Sequence, residues 1–129
     1  MSPTAQVLPS AELARELAGF ALEKKAHDVL ELDMRGLVGY TDFFLICSGN
    51  TDRQVKAIHD SIHEGAKGGL GILPRRVEGA GRAQWVLMDY LDVVVHIFTP
   101  VTREFYRLEQ LWGEAPARMV DGALPDAER

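Results

Sequence analysis

The run Phe43-Phe44-Leu45-Ile46-Cys47 constrains this chain more than any other segment. Five apolar side chains in succession leave no polar face, so a strand here must be covered on both sides. Such a strand lies inside a sheet, and the rest of the chain must supply the layers that cover it.

The neighbouring segments read as those layers. Ser10 is placed as an N-cap for a helix over Ala11 to about Lys25, with Leu13, Leu17, Phe20 and Ala21 on one face. Asp28 to Asp33 alternates as a strand, and Gly36 and Gly39 mark turns before the buried run. Asn50 or Thr51 caps a second helix from Asp52 to about Ala66, with Val55, Ile58 and Ile62 as its apolar stripe. Gly65, Gly68, Gly69 and Gly71 end it. Ile72 to Val77 reads as a short edge strand, because Pro74 donates no ladder hydrogen bond. Gln84 to Phe98 reads as two adjoining strands turning at Asp89 to Asp92. Thr99-Pro100 opens a third helix to about Trp112, whose apolar face is Phe105, Leu108, Leu111 and Trp112. Residues 1–9 are expected to be a flexible N-terminus, 10–112 a single domain, and 113–129 a flexible tail. The fold class is α/β: a mixed sheet of about five strands flanked by helices.

The first hairpin strand carries large groups on both pleat faces. Trp85, Leu87 and Asp89 point one way, and Val86, Met88 and Tyr90 the other. Only one face can enter the core. Exposed Trp or Tyr beside aliphatic neighbours has the composition of a binding hot spot, and Trp85, Leu87 and Tyr90 lie close together in sequence.

Charge narrows the partner. The net charge is −5 and the pI about 5.3. Nucleic-acid binding rests on cations displacing phosphate counterions, so autonomous nucleic-acid binding is not expected. A basic protein surface fits better. Cys47 is the only cysteine, which suits a reducing compartment. No apolar run approaches a membrane span, and Met1 to Pro9 lacks the regions of a signal peptide, so a cytoplasmic location is expected.

Candidate chemistry is thin. His59 and His63 have the spacing of helical metal ligands, but Asp60 stands where the zincin motif has Glu, and no third ligand is evident. Asp89, Asp92 and His96 could form a divalent-metal site for a nucleotidyltransferase or hydrolase. Asp is also common in turns, and His96 sits within an apolar strand as a structural residue would. Ser48-Gly49-Asn50-Thr51 precedes a helix N-terminus but lacks a P-loop lysine, and Asp52 repels phosphate. Cys47 is embedded in its apolar run and reads as a small buried hydrophobe. No metal and no cofactor is expected.

Several runs, taken in order, resemble the bacterial ribosomal silencing factor family, also called the Iojap family. Thr41 to Ile46 resembles its T-D-x-F-V-I strand, and Ser48 to Ile58 its turn and second helix. Val77-Glu78-Gly79 resembles its V-E-G turn. Trp85 to Tyr90 with Asp92 to His96 resembles its hairpin, and Arg103, Phe105, Tyr106, Leu108, Glu109, Leu111 and Trp112 its last helix. The resemblance spans about Ala18 to Trp112. It implies a nucleotidyltransferase-like core without catalytic residues and a non-enzymatic function. It further implies binding to the large ribosomal subunit through its ribosomal protein fourteen, obstruction of small-subunit joining, repression of translation, a link to ribosome biogenesis, and a homodimer when free. The contact residues it implies are Trp85, Leu87, Asp89 and Tyr90. One position departs: Leu91 stands where the family commonly has Gly. A branched Leu resists positive φ, so a different turn type is expected, with Tyr90 reoriented.

Overall fold

The structure, a computed structural model, describes residues 8–120. Its elements are α1 (Ser10–Leu22), β1 (His27–Asp33), β2 (Phe43–Ser48), α2 (Asp52–Gly65) with a π-helical turn over Ala66–Leu70, β3 (Arg76–Glu78), β4 (Trp85–Asp89), β5 (Val93–Phe98), α3 (Pro100–Tyr106), α4 (Leu108–Leu111) and β6 (Ala117–Val120). The sheet has six strands in the order β3-β4-β5-β2-β1-β6. β2 and β5 are its centre. They run parallel, from Phe43 opposite Val93 to Ser48 opposite Phe98, and every residue of both is buried. The other pairings are antiparallel.

Two cores lie against the two faces. On one, α1 and α2 lay Leu13, Leu17, Val55, Ile58 and Ile62 over Leu45, Cys47, Val95 and Ile97. Each fully buried aliphatic side chain there contributes about 2 kcal/mol. Thr51 caps α2 by accepting from the Gln54 N–H at 3.1 Å. The Gln54 amide also donates to the Lys24 and Lys25 carbonyls, which fixes the start of α2 against the end of α1. The other face is more thinly covered. Leu32, Met34, Phe44, Ile46 and Phe98 are roofed by Leu108, Ala115 and Trp112 and by the connection after β1.

Four expectations need correction. The sheet has six strands, because Ala117–Val120, in the segment expected to be a flexible tail, pairs with the outer edge of β1. The pairing satisfies backbone groups of β1, and Arg118 meets the buried Glu31 carboxylate at 2.9 Å. Residues 1–7 and 121–129 of the expected flexible ends lie outside the described residues. The third helix breaks at Arg107, whose φ of 48° ends α3 and begins α4. The break aims Leu108 and Trp112 at the sheet and leaves Phe105 and Leu111 in solvent. Ser10 begins α1 rather than capping it, and its side chain makes no cap bond. Finally, Leu91 does adopt a positive φ, of 75°. The Asp92 N–H donates back to the Tyr90 carbonyl, a three-residue γ-turn, and the Asp89 carboxylate accepts from the Leu91 N–H at 2.8 Å. Those bonds hold Leu where the family's Gly would sit without strain.

Candidate interaction face

The hairpin presents its side chains in strict alternation. Val86 and Met88 enter the helix-covered core, while Trp85, Leu87 and Asp89 lie half-buried on the thinly covered face. Tyr90 follows the inward set. It is 6% exposed and packs with the core under α1, away from Trp85. The structure thus brings together three of the four expected contact residues and separates the fourth.

Trp85 is held from three sides. Its ring stacks on Phe98 at 5.0 Å and lies 4.6 Å from the Tyr106 ring. Its indole N–H donates to His96 Nδ1 at 3.1 Å. Beneath it, the Gly79 turn passes so close that a Cβ there would lie 2.1 Å from the Trp85 carbonyl oxygen. Leu87 shares one small hollow with Trp85 and another with Tyr40, Phe44 and His96. Phe105 packs edge-on against Tyr106 at 4.9 Å. A continuous strip therefore runs Phe105, Tyr106, Trp85, Leu87, Tyr40. Phe105 is 78% exposed and Tyr40 60%.

Asp89 shares the strip's face but is largely committed within the molecule. One carboxylate oxygen accepts from Leu91, and the other lies 3.8 Å from Arg76 Nε. The sequence reading missed Tyr40, Phe105 and Tyr106 as members of this face. One signal was available for the last two: adjacent helical residues project about 100° apart, so Phe105 and Tyr106 cannot both face a core.

The alternative catalytic set does not converge. Asp89 and His96 line one hollow, whereas Asp92 is exposed beside a different one, lined by Leu8, Leu13, Leu73 and Tyr90. His96 Nδ1 is occupied by Trp85, and burial pushes the imidazole pKa down to about 4. His59 and His63 have their rings 5.9 Å apart, with His59 bonded to the Asp60 carboxylate. Among the described residues no group of three potential metal ligands assembles. Burial raises the Cys47 thiol to about 12, which suppresses a nucleophilic thiolate. No helix among the described residues is long and apolar enough to cross a membrane.

Tyr90 carries a testable cost. Its hydroxyl is buried without a hydrogen-bond partner, and burial raises its pKa to about 12. Tyr90→Phe should therefore raise stability by about 1 kcal/mol, as removal of an unsatisfied hydroxyl does. Urea denaturation measures this, and a clear loss of stability would place a bound partner on that oxygen.

Residues 7–129 match the family model described as "Ribosomal silencing factor during starvation". The chain is 48% identical over 99 residues to the ribosomal silencing factor RsfS of Bacillus subtilis, covering 77% of this chain and 83% of that protein. A crystal structure of a Bacillus halodurans protein superposes with a TM-score of 0.75 at 41% identity, over 85% of this chain and 99% of that one. A mouse protein named mitochondrial assembly of ribosomal large subunit protein 1 is 30% identical over 101 residues, 74% of this chain and 43% of its own length.

Proposed function

The chain belongs to the ribosomal silencing factor family, and on that premise we propose that it represses translation by capping a face of the large ribosomal subunit. The partner is that subunit's ribosomal protein fourteen, and the small subunit is excluded because both would need the same surface. No chemistry is required of the protein. The observation that carries this reading is the strip from Phe105 to Tyr40, with Trp85 and Leu87 at its centre. Central aromatic anchors flanked by further apolar groups are what dominate binding energy at protein interfaces.

Charge supports the choice of partner. A chain of net charge −5 is drawn to a basic protein surface, and Glu78 and Asp89 border the strip. The mouse relative's name supports a second role in large-subunit biogenesis. The protein acts in the cytoplasm, where its target is, and pairs with a second copy when free.

Trp85→Ala should weaken large-subunit binding by about 2 kcal/mol, roughly thirtyfold. Co-sedimentation with purified large subunits reads this directly. A folded variant that sediments like the parent would take Trp85 out of the contact surface.

A further inference from the structure

β2 and β5 are parallel neighbours, yet the chain leaves them in opposite directions. After β2 it enters α2, which packs on one face of the sheet; after β5 it enters α3 and α4, which carry Leu108 onto the other. Where the connections of adjacent parallel strands diverge, a crevice opens beyond their C-terminal ends, and α/β proteins use such crevices to bind ligands. A cavity of about 720 Å³ occupies that position here, between Ser48 and Pro100. Its volume lies within the range of small-molecule sites.

The floor of the cavity is built around Arg103, whose side chain is only 12% exposed. One terminal nitrogen donates to Ser48 Oγ at 2.9 Å and to the Asp28 carbonyl at 2.8 Å, while Nε donates to Glu109 Oε2 at 3.1 Å. The other Glu109 oxygen, Oε1, is shielded from solvent and has no partner. A buried charged acceptor without a donor is costly, and a ligand that supplies one recovers that cost. Three carboxylates, of Asp28, Glu104 and Glu109, line the space against two guanidiniums, of Arg103 and Arg107. That excess of negative charge disfavours phosphate-bearing ligands and favours a cation. Leu30, Pro100 and Met119 supply apolar wall.

We infer that this crevice binds a small aliphatic amine, its ammonium donating to Glu109 Oε1 and its methylene stem lying along Leu30 and Met119. The site lies across α3 from the Trp85 strip and stands whether or not that strip meets a ribosome.

Putrescine, titrated into the full chain at constant ionic strength beside its diol analogue, tests the assignment by calorimetry and thermal shift. Saturable binding and a raised Tm are expected for the diamine alone. Glu109→Gln should weaken binding at least tenfold. Met119→Trp, which fills the cavity from the exposed edge strand, should do the same, and it carries the test if Glu109→Gln does not fold. No binding at millimolar diamine, an equal response to the diol, or binding that survives these substitutions would overturn the inference.

Discussion

Replacing Gly79 with alanine should destabilise the protein by about 3 kcal/mol or more, the largest effect expected of any single methyl group added here. Two costs combine. Gly79 has a φ of 82°, a left-handed conformation that disfavours an L side chain by about 1–2 kcal/mol. The new Cβ would also stand 2.1 Å from the Trp85 carbonyl oxygen, a backbone atom that no rotamer change can move. The β3–β4 connection would have to open, and Trp85 begins the strand that opens. Urea unfolding should show the loss in the midpoint, and binding to large subunits should weaken alongside it. A loss below about 1 kcal/mol would mean that the turn relaxes freely and does not hold Trp85 in place.

Acid should remove a comparable amount through His96. Burial lowers its pKa from 6.5 to about 4 in the folded protein. The unfolded chain therefore binds a proton at a higher pH than the native state does. The stabilising contribution is complete above about 6.5 and is lost as pH falls through about 4, a difference of about 3 kcal/mol. Protonation has a local effect as well. Indole N–H donation to Nδ1 puts the neutral ring's own proton on Nε2, and an imidazolium would carry protons on both nitrogens and offer Trp85 no acceptor. Chemical denaturation at neutral pH and near pH 4 would measure the total loss. His96→Phe removes the titration and should lose about 3 kcal/mol less over the same interval; equal losses would assign the acid sensitivity to other groups.

Much of this architecture was legible in the residues. Phe43 to Cys47 could only be a strand covered twice, and β2 is buried throughout. The period-2 pattern of Trp85 to Tyr90 sorted the hairpin into two sets that the structure keeps apart. Tyr90 went astray when sequence proximity to Trp85 was weighed above that pattern. The features that stayed hidden are tertiary. Arginine is a good helix former, so nothing local marks Arg107 as a break; the need to seat Leu108 on the sheet decides it. Ala117–Val120 has no strand pattern of its own and becomes one beside the open edge of β1. Leu91 shows the same override at a single residue, since the Asp89 carboxylate and the Tyr90 carbonyl hold a turn that propensity opposes. Tyr40 joins the Trp85 strip through the fold alone, from a connection far away in sequence.

The pairing of Phe43 with Val93 at the middle of the sheet sets an order on synthesis. No local hairpin can form that contact, since parallel neighbours need a long crossover between them. A chain still being made must wait until Phe98 has emerged before its two innermost strands can meet, and until Val120 has emerged before β1 gains its outer neighbour. Until then the oily faces of Phe43 to Cys47 have no permanent cover, so a nascent copy is most open to aggregation just before release. A protein that holds subunits apart is thus itself completed only at the end of its own translation.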